Sequence, residues 1–175
     1  MLKVLIMSAG IALLQVGCDL NDDNGRIGGE VFPDAPGGPT GSERTFQVVL
    51  SRSEEVPVCA AGGFYATGAT SVTISADESL VTVGPLRITD LSSATTAAHI
   101  HAGPAGVAGP IVFDLTRGLS SPITQAFNAG NYPNPAPAGA PGTFADFIVQ
   151  MKAGNSYANV HTMSCMSGEI RGQLR

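Results

Sequence analysis

The feature that most restricts this chain is how often it is interrupted. Glycine occurs 22 times and proline 12 times in 175 residues, and together they break the region after Thr45 into short apolar runs. Proline withholds a backbone donor and glycine opens turn conformations, so such runs suit short strands joined by tight turns better than long helices. Residues 45–50, 64–75, 80–83, 86–88, 97–101, 110–115, 123–127, 156–162 and 169–174 read as strands, rich in β-branched residues and partly alternating. Gly68 inside the second run predicts a bend or bulge, and Pro57 puts residues 53–59 in a turn. The proline-rich stretch 131–142 is expected to be an exposed loop. One short helix is expected over 144–153. Thr143 would cap it, Asp146 would favour its first turn, Gly154 would end it, and Phe144, Phe147, Ile148 and Met151 would share one face. The expected fold is therefore all-β, a Greek-key sandwich or barrel of antiparallel strands with one short helix.

Residues 1–17 read as an export signal: Lys3, an apolar run over 4–14, then small residues before Cys18. That run is too short to span a bilayer as a helix. The segment Leu13-Leu14-Gln15-Val16-Gly17-Cys18 resembles a bacterial lipobox, with Gln15 standing where leucine is usual. It implies acylation of Cys18 and a chain anchored to a membrane through lipid. Residues 18–44 carry almost no apolar material apart from Val31-Phe32, and are expected to be a flexible, acidic tether. The domain proper is expected over 45–175. Of 14 acids and 9 bases in the chain, six acids and two bases fall between Cys18 and Arg44. Lys3 is the other base outside the domain, which leaves eight acids against six bases from Thr45 onward. No basic run could neutralise a row of phosphates, so no nucleic-acid partner is expected. No glycine-rich loop follows a strand and opens a helix, so no nucleotide is expected either.

Three cysteines in an exported chain leave one over. Acylating Cys18 removes the odd one, and Cys59 and Cys165 remain either as a disulfide in an oxidising compartment or as two separate buried thiols.

Several motifs then fall into a known order. They are Glu55-Val56-Pro57, Thr67-Gly68-Ala69, Ala98-His99-Ile100-His101-Ala102-Gly103-Pro104 with Gly106 and Gly109-Pro110, Tyr157-Ala158-Asn159-Val160-His161-Thr162, and Gly168-Glu169-Ile170-Arg171-Gly172-Gln173-Leu174. Together they resemble the CHRD domain, the family named for the repeats of chordin, over roughly residues 46–174. The resemblance implies an extracellular β-sandwich that also occurs singly in exported bacterial proteins, here periplasmic or at the cell surface. Cys59 and Cys165 depart from the family pattern and sit in two motif loops, which implies that those loops touch and that the cysteines are bridged.

The histidines carry the chemistry. On a strand, His99 and His101 would point to one face, about 7 Å apart at the backbone, and His161 on another strand could complete a set of three. Three neutral imidazoles with an open position suit copper or zinc. The competing expectation is a structural network in which the histidines join Glu55, Glu169 and Arg171 to knit the sheets. His-Ile-His before a glycine-rich loop also resembles copper-zinc superoxide dismutase, which makes a metal-dependent redox enzyme the rival to a binding module. That enzyme needs more histidines than the three present. A Ser164–His161 nucleophile pair has no orienting third residue in the sequence. The expected function is a membrane-anchored, extracytoplasmic binding or interaction module, with a purely structural envelope domain as the alternative.

Overall fold

The computed structural model describes residues 41–115 and 123–175. The export signal, Cys18 and the tether as far as residue 40 lie outside the described residues. Arg44, expected at the end of the tether, pairs with Ile74 and opens the first strand.

Eight strands and one helix follow in chain order. They are β1 (Arg44–Ser51), β2 (Thr67–Ile74), β3 (Val81–Thr89), β4 (Thr95–Ala102), β5 (Ile111–Asp114), β6 (Ile123–Phe127), α1 (Phe144–Lys152), β7 (Ser156–Thr162) and β8 (Ile170–Gln173). All pairings are antiparallel, in one sheet of order β5-β4-β7-β8-β1-β2-β3-β6. The sheet curls until its two edge strands face each other. Phe113 of β5 stacks on Phe127 of β6 with ring centroids 4.3 Å apart, and the Gln125 side chain donates to the Leu115 carbonyl at 2.8 Å. The result is a nearly closed barrel with one seam, bridged by side chains instead of a backbone ladder. The connection from β3 to β4 joins strands on either side of that seam, which is the Greek-key step.

Local chemistry explains where elements begin and end. The runs 80–83 and 86–88 are a single strand, β3, whose register against β6 shifts between Val83 and Leu86, at Gly84-Pro85. A bulge tolerates a proline there because its missing donor is not needed by the ladder. In β2 the register against β3 shifts between Ala69 and Val72, beside Gly68 and not at it. Phe64 and Tyr65 precede β2 and are exposed, so the second run begins later than the apolar residues suggest. The helix is as expected at its start, where the Thr143 hydroxyl accepts from the Asp146 backbone N–H at 3.1 Å. Phe144, Phe147, Ile148 and Met151 are buried, with Phe147 packed edge-on against Phe113. Each fully buried apolar side chain of this kind contributes on the order of 1.5–3 kcal/mol.

Candidate metal site

The site is built by the pleat of β4, β7 and β8. Successive residues point to opposite faces. Ala98, Ile100, Ala102, Ala158, Val160, Ile170 and Leu174 enter the core. The intervening residues form an outer face that is polar throughout: His99 and His101, then Tyr157, Asn159 and His161, then Arg171 and Gln173. Register sets His99 beside Asn159 and Asn159 beside Arg171, while His101 lies beside Tyr157 and Tyr157 beside Gln173. Most of this face is shut off from solvent, and only the edge that carries His99 and His161 is half-exposed. Loops from three parts of the chain lie over it, and His101, Asn159, Arg171 and Gln173 are all buried.

The three histidines, all the chain has, meet at one corner of that face. One ring nitrogen from each lies within 4.8 Å of the other two. A neutral imidazole carries one N–H, so the partners settle which nitrogen is bare. His101 Nδ1 donates to the Gly109 carbonyl at 2.9 Å, which leaves its Nε2 as a lone pair. That atom is buried and has no hydrogen-bond partner. His161 Nδ1 donates to the Met166 carbonyl at 3.0 Å, so its Nε2 is also bare and accepts from His99 Nδ1 at 3.1 Å. Two lone pairs thus converge with their far nitrogens held by backbone carbonyls. Backbone or carboxylate acceptors on the far nitrogen are the usual supports of metal-ligating histidine. Burial, more than any other influence, favours the uncharged form of all three rings. Burial pulls His101 down to about 4, with repulsion from His99, His161 and Arg171 adding to it against the Gly109 hydrogen bond. Burial also lowers His161, and it lowers His99 together with the nearby His161, while Asp114 acts on His99 in the opposite sense.

The cover over this face is fastened by the acidic and basic residues that sequence reasoning assigned to a network. The Arg171 guanidinium donates to the Val107 and Pro104 carbonyls, both at 2.9 Å, and to Gln173 Oε1. It also lies 3.4 Å over the Tyr157 ring, whose other side stacks on His101 at 4.7 Å and 10°. Tyr157 OH accepts from the Gly109 N–H at 2.9 Å. Arg171, Tyr157 and His101 are therefore one stack, and the loop after β4 is tied to it at both ends. Gly109 must be glycine here, because a Cβ would run into the Ala102 carbonyl. Glu169 accepts from Gly63 N, Ser92 N, Ser92 Oγ and Thr162 Oγ1, fastening two further loops. Burial pushes its carboxyl up, and those four donors more than reverse the effect, so it is held below the usual value. Glu55 accepts from Asn159 Nδ2 at 2.9 and 3.1 Å. Burial raises it to about 7 against that hydrogen bond and the charge of Arg171. Gly168 lets Glu55 come this close: its φ is +129°, and a Cβ would sit 2.6 Å from Glu55 Oε2.

Cys59 and Cys165 are bridged, with Cα atoms 5.8 Å apart and a sequence separation of 106. The bridge holds the 163–168 loop, whose Met166 carbonyl aligns His161, against the loop that follows Glu55. The two sequence expectations for the histidines touch at one ring, since His101 belongs to the histidine cluster and also, through Tyr157, to the stack with Arg171. Glu55, Glu169 and Arg171 each hold separate partners, and among the described residues their hydrogen bonds join neither one another nor a histidine ring nitrogen. His161 does not turn to Ser164: its Nδ1 donates to the Met166 carbonyl and its Nε2 faces His99.

Sequence reasoning missed Tyr157, although it shares the period-two spacing of Asn159 and His161. It also missed the Gly109 and Met166 carbonyls, which no side-chain pattern could signal. Among known families, the model of the CHRD domain matches residues 46–174. No curated protein and no solved structure gives a match.

Proposed function

The chain belongs to the CHRD domain family, and on that premise we propose that it is an extracytoplasmic interaction module, anchored to a membrane through Cys18, that binds copper or zinc through His99, His101 and His161. The observation that carries the metal reading is the buried, partnerless Nε2 of His101, aimed into a cluster where His161 presents a second bare nitrogen. Leaving such an atom unsatisfied costs roughly 1–3 kcal/mol, which an ion would recover. Metal–nitrogen bonds of about 2.0–2.1 Å set tetrahedral ligands roughly 3.4 Å apart, so the widest pair closes by little more than an ångström. His99 and His161 are half-buried, so the fourth position opens towards the surface. Three imidazoles with an open position serve zinc and copper alike. The disulfide fits the oxidising compartment that export implies.

Isothermal titration of the untagged, metal-stripped chain with zinc(II) and copper(II) tests the site. One equivalent should bind, and His161→Ala should abolish it. If neither ion binds wild type more tightly than this variant, the metal reading fails. Membrane attachment has its own test: wild type should sediment with membranes and Cys18→Ser should be released.

A further inference from the structure

His101 and His161 each have a backbone carbonyl on the nitrogen that faces away from the cluster. His99 is built differently. Its Nδ1 faces His161 on β7, one flank of β4, so its Nε2 points away from the cluster. The strand on the other flank of β4 is β5, and the residue directly opposite His99 there is Asp114. Side chains of directly opposed residues share a face, with Cβ atoms about 4.5–5.5 Å apart, so the Asp114 carboxyl is within reach of the His99 ring on the same face of the sheet. We infer that Asp114 is the positioning residue for His99, accepting its Nε2–H in the tautomer whose Nδ1 is bare and able to bind metal.

The proton bookkeeping closes without any other reactant. In the metal-free chain the single proton of His99 sits on Nδ1 when that atom donates to His161 Nε2. Ligation through Nδ1 needs that N–H bond broken and the proton placed on Nε2, where a carboxylate accepts it. The ring stays neutral throughout. The carboxylate's proximity is also felt in the His99 pKa, which Asp114 raises against the burial and the His161 repulsion that lower it. A carboxylate behind a ligating imidazole fixes its tautomer and raises its basicity, typically by enough to change affinity 10- to 100-fold. The fold thus supplies three supports of two kinds: backbone carbonyls for His101 and His161, and a carboxylate for His99.

This inference deepens the metal reading and takes its purpose from it, but the two can be tested separately. The full chain, 15N-labelled and metal-free at neutral pH, is compared with Asp114→Ala and Asp114→Glu by imidazole 1H–15N correlation spectra. His99 should be mainly Nδ1–H in the metal-free chain, as its bond to His161 requires, with an Nε2–H minority in wild type that Asp114→Ala loses and Asp114→Glu regains. His101 and His161 should remain Nδ1–H in all three, which reports an intact fold. Zinc(II) affinity should fall tenfold or more in Asp114→Ala and recover in Asp114→Glu. An identical His99 tautomer in wild type and Asp114→Ala overturns the inference, as does zinc affinity unchanged within twofold. If wild type takes up no zinc while the tautomer still shifts, the metal reading falls and the role of Asp114 stands.

Discussion

The two halves of the barrel share one pleat but use their outer faces differently. In β1 and β2 burial alternates strictly, with Thr45, Gln47, Val49, Thr67, Ala69 and Thr73 turned outward and little covering them. In β7 and β8 almost every residue is buried, including Asn159, Arg171 and Gln173 on the outer face. Both halves obey the same period of two. What differs is that loops close over one polar face and leave the other wet. Covering polar groups costs free energy unless each finds a partner. The covered half therefore acquires dense hydrogen bonding, and the one buried ring nitrogen left without a partner marks the candidate site.

The comparison breaks most severely where the cover is pinned. Replacing Cys59 and Cys165 together by alanine removes a bridge across a sequence separation of 106, and chain entropy puts the loss at about 4–5 kcal/mol. Denaturant titration of oxidised wild type against the double variant measures it, and a loss under about 1 kcal/mol would mean that the loops hold themselves. Arg171→Ala comes next. It strips three hydrogen bonds and the stack on Tyr157 from a side chain only 2% exposed, at roughly 3–4 kcal/mol. It should also weaken zinc binding, since His101 loses the stack and loop that hold its Nδ1 acceptor; unchanged zinc affinity would detach the cover from the site.

Acid titration separates two opposing groups on the covered face. Glu55 sits near 7 in the fold against an ordinary 4.5, so its contribution is full below 4.5 and is lost as pH rises through 7. His101 sits near 4 against 6.5, so its contribution is present above 6.5 and lost as pH falls through 4. Between pH 4.5 and 6.5 they offset each other. In metal-free Glu55→Gln only the histidine side remains, and stability should fall on acidification across that window by about 2 kcal/mol more than in wild type, after allowance for solvent screening. Parallel curves for the two proteins would show that Glu55 is ionised as usual. The smallest effect belongs to the wet half. Thr73→Ala, which removes an exposed hydroxyl pair with Thr45 at 2.9 Å, should shift stability by no more than about 0.5 kcal/mol and leave metal binding untouched.

Much of this architecture can be read from local chemistry. Thr143 and the stripe of Phe144, Phe147, Ile148 and Met151 define the helix because capping and period both act within a few residues. The same holds for His99 and His101, whose shared face follows from the pleat alone. The joining of 80–83 with 86–88 into β3 was not legible, because a bulge at Gly84-Pro85 and a turn there look alike until β6 supplies the pairing. Asp114 is a second case. Nothing in residues 110–115 ties it to His99, since opposition across strands depends on register, and register is settled by which apolar residues reach the core.

From the sequence alone came the short-strand all-β class, the shared face of His99 and His101, and the set of three histidines and two cysteines that any site could draw upon. The tertiary structure decided that loops cover one polar face, that Gly109 and Met166 offer carbonyls to His101 and His161, and that one ring nitrogen is left bare inside. Turn chemistry and strand period act between near neighbours and so are written in the residue order. Carbonyl acceptors have no side-chain identity, and their positions exist only once distant loops have closed.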